Sequence, residues 1–141
     1  MKTRIGVTAG LLLALAAPLL QAVDEVEPPK VRKQSGTTFV TGGSGEAERK
    51  ALFKIANKFP IQLIFEVEGQ EADIAGVKVT LTDQSGNALI EAVSDGPYFY
   101  MNPPAGGRFI IDAEYKGEKQ TMTKDLVGRR YLVLEFKFHA K

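Results

Sequence analysis

Tyr98-Phe99-Tyr100 is the segment best suited to recognition, because successive side chains of an extended strand leave on opposite faces. Either Phe99 or the tyrosine pair then points outward. An outward tyrosine can stack on a sugar or anchor a protein partner through a ring with one polar end. As hot spots of such a contact, Tyr98 and Tyr100 would each supply about 2 kcal/mol. Asp95, in the turn Asp95-Gly96-Pro97 just before them, completes this candidate binding surface. The same residues also fit a plainer role, as sandwich residues with their hydroxyls at the rim.

Other chemistry is thinly supplied. Asp73, Asp83 and Asp95 are oxygen donors that could hold calcium if loop ends gathered them. Asp83 and Asp95 are more simply turn residues, each with a glycine close by. An unrecognised enzyme would need Asp73, Glu91, Asp95 and a tyrosine in one cleft. The only histidine, His139, stands two residues from the end, where fraying is expected and an imidazole is poorly placed for proton transfer. The chain has no cysteine, which removes thiol nucleophiles, and one histidine cannot build a His-rich metal site. Gly42-Gly43-Ser44-Gly45 before a helix resembles an anion loop but lacks the Lys-Ser/Thr that holds a nucleotide phosphate. The expectation is a protein without catalysis, cofactor or metal.

The elements that must position these residues follow from periodicity. Residues 42–59 read as one helix, with Ser44 as its N-cap, acids at its start and Lys54 and Lys58 near its end. Leu52, Ile55, Ala56 and Phe59 give it one apolar face, and Pro60 stops it. Residues 37–41 are a short β-branched and aromatic piece, an edge strand or extended lead-in. Beyond Pro60 the period becomes two. Ile61, Leu63, Phe65 and Val67 alternate with polar neighbours, as do Val77, Val79 and Leu81, then Phe109, Ile111 and Ala113, and finally Leu132, Leu134, Phe136 and Phe138. Asp83-Gln84-Ser85-Gly86-Asn87 and Lys116-Gly117 are hairpin turns. About seven strands at regular spacing predict an all-β, antiparallel sandwich preceded by one short amphipathic helix.

Residues 1–22 have the form of a secretory signal peptide: Lys2 and Arg4, then an apolar run from Gly10 to Leu20, then Gln21-Ala22. The run is too short for a spanning helix, so no membrane span is expected after cleavage, and the destination is the periplasm or the exterior. Cleavage there leaves 119 of the 141 residues and takes away two positive charges and no acid, so the formal charge goes from +1 to −1. A near-neutral chain with mixed charges has no field to gather nucleic acid. The predicted organisation is a signal peptide over 1–22, a disordered leader over 23–36, the extended piece and helix over 37–60, and the sandwich over 61–141.

Ala75-Gly76-Val77-Lys78-Val79-Thr80-Leu81 with Asp83 and Gly86 resembles the opening hairpin of carboxypeptidase regulatory-like domains. Pro103-Pro104 and Gly107-Arg108-Phe109 are similar to the proline turn of those domains, with Ala105-Gly106 inserted. Gly42-Gly43-Ser44-Gly45-Glu46 and Ser94-Asp95-Gly96-Pro97-Tyr98 look like a family of small exported proteobacterial proteins carrying this domain behind a helix. The resemblance covers about residues 61–138 and implies a transthyretin-like sandwich, accessory rather than catalytic. Hydroxyisourate-type relatives rely on several histidines and a C-terminal Tyr-Arg-Gly-Ser. This chain ends Phe138-His139-Ala140-Lys141, so that activity is not implied. The expected role is binding or scaffolding, with a protein or glycan of the cell envelope as partner; the alternative is a carbohydrate-binding accessory module using the aromatic strand.

Overall fold

Pro60 marks the point where helical spacing gives way to alternation. The computed structural model of the chain describes residues 26–128 and 130–139, so the signal segment and residues 23–25 of the leader lie outside the described residues. In chain order the elements are β1 (Arg32–Gln34), β2 (Thr37–Gly42), α1 (Glu46–Phe53), a 3₁₀ turn (Ala56–Lys58), β3 (Ile61–Val67), β4 (Lys78–Asp83), β5 (Ala88–Val93), β6 (Tyr98–Asn102), β7 (Gly107–Tyr115), β8 (Glu118–Leu126) and β9 (Leu132–Phe138). The first sheet has the order β1-β2-β6-β3-β9 and the second β5-β4-β7-β8. The described residues thus form an all-β sandwich with one helix.

The alternating residues make the core between the sheets. Ile61, Leu63, Val77, Val79, Leu81, Phe99, Met101, Ile111, Phe136 and Phe138 are all fully buried there. Each large apolar side chain removed from water contributes about 1.5–3 kcal/mol, which matters in a chain with no disulfide to restrain it. No helix among the described residues is long and apolar enough to cross a membrane.

Several expectations need correction. The described residues hold nine strands, and the sandwich is not wholly antiparallel: β9 runs parallel to β3, with Ile61 opposite Leu132 and Val67 opposite Phe138. The cause is where the last strand enters. The Leu132 N–H donates to the Pro60 carbonyl (2.7 Å), so both strands start at the same end of the sheet. The leader ends early, because Arg32–Gln34 pairs with Thr37–Phe39 around a turn in which Ser35 and Gly36 both take positive φ. That pairing makes β2 an interior strand, between β1 and β6.

The helix is shorter than its spacing suggested. Phe59 before Pro60 must be extended (φ −129°, ψ 104°), so the last turn tightens to 3₁₀ instead of continuing as α-helix. Nor is Ser44 the N-cap. Gly45 takes that position at φ 84° with no side-chain cap bond, and carboxylates instead hold the loop that leads into the helix: Asp73 accepts from the Gly45 N–H (2.8 Å), and Glu48 accepts from those of Gly43 (2.7 Å) and Ser44 (3.3 Å). A charged acceptor makes the stronger bond to such a loop N–H.

Side chains seal both open edges of the sandwich. The Gln34 amide accepts from the Glu91 N–H (2.9 Å) and donates to the Glu91 carbonyl (3.3 Å), standing in for a strand beside β5. Across the other edge the Gln120 amide donates to the Lys137 carbonyl (2.7 Å), joining β8 to β9.

Candidate functional site

The aromatic strand does not form an open surface. β6 lies between β2 and β3, and Phe99 enters the main core, stacked on Phe39 at 5.5 Å between centroids. Tyr98 and Tyr100 leave on the other face, where α1 covers them. Tyr100 is 3% exposed, packed with Val40, Leu52 and Phe59 in a second small core. Burial, then the neighbouring Tyr98, pushes its phenol up to about 12. Tyr98 is partly buried, meeting Phe53 edge-on at 5.4 Å and Tyr100 at 6.2 Å. Tyr98 and Tyr100, the candidate recognition residues, thus take the face opposite Phe99 without opening to solvent: they are the floor on which the apolar face of the helix rests.

The two glycine motifs meet at this floor. A side chain at Gly96 would collide with the Gly42 carbonyl, and one at Gly43 with the Tyr98 ring. The Thr41 hydroxyl donates to the Tyr98 carbonyl (2.8 Å) and accepts from the Asp95 N–H (3.0 Å), while the Ser94 hydroxyl accepts from the Val77 N–H (3.0 Å). Glycine and small hydroxyl residues are needed because two backbones touch here. Asp95 itself turns away from the tyrosines and pairs with Arg32 (3.3 Å) in solvent, beside β1.

The remaining candidates for chemistry hold the fold. Asp73 accepts from the Gly45 N–H just before α1 and pairs with Arg49 at 3.3 Å. Asp83 accepts from the N–H groups of Ser85 and Asn87 (2.9 Å each), and the Asn87 N–H above all holds its carboxyl below the usual range. His139 is not frayed: its ring lies 3.1 Å from Glu118 and 3.3 Å from Glu68, and its N–H donates to Glu118 at 2.7 Å. That backbone N–H, then the Gln120 amide and the imidazole, hold the Glu118 carboxyl down at about 2. Among the described residues no three His, Asp or Glu side chains are arranged to hold a metal ion.

Among the described residues three surface hollows are large enough for a small ligand: an acidic one of about 490 Å³ lined by Glu66, Glu68 and Glu71, and two others. One, of about 510 Å³, lies over the outer face of the second sheet near Gln84, Ile110 and Val127. Its one cation, Arg108, is paired with Asp125 at 2.9 Å, which raises the guanidinium pKa and lowers that of the carboxyl. The other, of about 440 Å³, lies where the 3₁₀ turn, the proline turn and the start of β9 converge. Asn57, Lys58, Asn102, Pro104, Arg130 and Tyr131 line it, and no carboxylate does. Tyr131 is 50% exposed and its hydroxyl donates to the Asn57 carbonyl (2.9 Å), which fixes the ring. Neither Lys58 nor Arg130 has a carboxylate partner among the described residues. The groove joins residues far apart in sequence, so no motif announces it; Lys58 reads as a helix-end charge and Tyr131 as an outer-face strand residue.

The fold also requires a glycine at position 106, in the proline turn. The turn passes so close to β8 that a Cβ at Gly106 would stand 2.7 Å from the Leu126 carbonyl. No protein-family model matches this chain, and no characterised protein is similar to it at a significant level.

Proposed function

We propose that this chain is a non-catalytic, exported binding module of the cell envelope, built on a transthyretin-like sandwich of the carboxypeptidase regulatory-like type. Its contact region is the groove around Tyr131, in place of the aromatic strand. One observation carries this reading. The groove gathers an exposed aromatic ring, two amide side chains and two cations that have no carboxylate partner among the described residues. Elsewhere the reactive groups serve the fold: Asp73 holds the loop that enters the helix, Asp83 caps a hairpin, and Glu118 and His139 tie β8 to the end of β9. A glycan-binding role through Tyr98 and Tyr100 has no free surface, because α1 occupies it.

The test is site-specific photocrosslinking in intact cells. A photoreactive residue replaces Ala105 at the rim of the groove, or Lys119 at the far end of β8. One dominant adduct from position 105 and none from 119 is the expected result. Equal capture from both positions, or capture from 119 alone, would remove the groove as the contact region. N-terminal sequencing of the recovered protein should begin near residue 23; a start at Met1 would contradict export by signal cleavage.

A further inference from the structure

We propose that the groove around Tyr131 takes an acidic glycan, a sugar chain bearing carboxylate groups. This rests on the reading that the groove is the contact region. The inference comes from its shape and its charge together.

The fixed Tyr131 ring and the exposed Pro104 ring give apolar surfaces suited to the C–H face of a sugar ring. Because the tyrosine hydroxyl is already bonded to Asn57, the ring loses little further freedom on binding. The exposed side-chain amides of Asn57 and Asn102 offer donors and acceptors to ring hydroxyls. Lys58 and Arg130 add two positive charges, and Arg130 can bind a carboxylate through two parallel N–H bonds.

Charge placement along the fold favours an anion at this end. β3 starts beside the groove at Ile61 and finishes at Val67, and at that far end Glu66, Glu68 and Glu71 line an acidic hollow whose one cation among the described residues is Lys137. The basic and acidic ends are thus one strand length apart, roughly 23 Å for seven residues. In a nearly neutral chain this polarity directs an anionic ligand to Lys58 and Arg130. Two cations are few for nucleic acid, whose binding depends on neutralising many phosphates. The groove is open and shallow in apolar contacts, with no enclosed pocket for the aromatic or aliphatic anchor that a protein hot spot requires.

The test is calorimetric titration of the mature protein with a galacturonic-acid oligosaccharide and with its fully methyl-esterified form, which keeps the sugar backbone and removes the charge. The expected result is at least tenfold tighter binding of the acid, weakened by salt. Arg130→Gln and Tyr131→Ala should each weaken it at least fivefold, and Arg108→Gln in the other hollow should leave it unchanged. Circular dichroism checks that each variant is folded. Equal binding of acid and ester, lost in Tyr131→Ala, would overturn the acidic class while keeping the groove as the contact region. Displacement of the oligosaccharide by inorganic phosphate at equal concentration would overturn the glycan in favour of a free anion. No oligosaccharide binding, with a protein adduct still formed from position 105, would overturn the glycan alone. Loss of both would overturn the glycan and the contact region together.

Discussion

The ring of Tyr98 lies against the bare Cα of Gly43, in the space that any side chain at residue 43 would need. Gly43 is also at φ +88°, where an L-residue is strained whatever the space. Both costs should appear in Gly43→Ala: a backbone cost of about 1 kcal/mol and an overpacking cost of about 1–3 kcal/mol. Gly45 separates the two, because at φ +84° a Cβ added there would meet no atom within 4 Å. Urea unfolding should therefore rank Gly43→Ala clearly below Gly45→Ala, with Gly45→Ala losing only the backbone part. Equal losses would mean that the Tyr98 ring gives way freely.

Tyr100 makes the companion prediction one strand position on. Replacing it with Ala removes most of a ring packed on Val40, Leu52 and Phe59, at a cost of about 3 kcal/mol. The Tyr100→Phe change should cost under about 1 kcal/mol, since the hydroxyl makes no hydrogen bond among the described residues. The phenol adds a pH signature. Its pKa is raised from 10.0 to about 12 in the folded state, so its contribution is complete below pH 10 and is lost as pH climbs from 10 to 12. Ultraviolet titration of the phenolate should show one tyrosine near 12 that is missing in Tyr100→Phe. A wild type with no tyrosine titrating near 12 would put Tyr100 in solvent.

These two residues show what alternation reveals and what it hides. The period of two separates Phe99 from Tyr98 and Tyr100, and it places the core residues of β3, β4, β7 and β9 on inner faces. It says nothing about what covers the second face of β6, because covering depends on where a helix that ends at Phe53, far earlier in the chain, comes to rest. The helix face at Leu52, Ile55, Ala56 and Phe59 and the tyrosine face were both visible as apolar surfaces, and each was the other's partner. The parallel β3–β9 pairing was hidden for a related reason. Local turns predict hairpins, whereas β9 crosses from one sheet to the other before pairing. The groove was hidden most completely, since Lys58, Asn102 and Tyr131 come from three segments far apart in the chain.

His139 gives an acid-side prediction. Its backbone N–H, the Gln120 amide and the imidazole lower Glu118 from 4.5 to about 2, so this carboxylate favours the folded state above pH 4.5 and that contribution is lost as pH falls toward 2. Glu118→Gln should be less stable than wild type at pH 6 and approach it at pH 3. Urea midpoints at the two pH values measure this directly. A gap that stays constant between pH 6 and pH 3 would show that the Glu118 charge is not what joins β8 to the end of β9.

Gln34 tests how the opposite edge is kept closed. Its amide occupies both the N–H and the C=O of Glu91, the groups through which β5 would otherwise pair with a foreign strand. Gln34→Ala uncovers them without touching the core, since Gln34 is only partly buried on a short outer strand. One lost hydrogen bond of about 1 kcal/mol corresponds to roughly fivefold faster exchange if local opening governs the amide. The Glu91 amide should show that loss of protection by hydrogen exchange while the core amides of β4 and β7 keep theirs. Sedimentation should also show more self-association, because the exposed edge can then pair with another chain. Unchanged exchange at Glu91 would mean that water replaces the Gln34 amide at no cost, and that another feature of β5, such as the exposed charge of Glu91, keeps the edge unpaired.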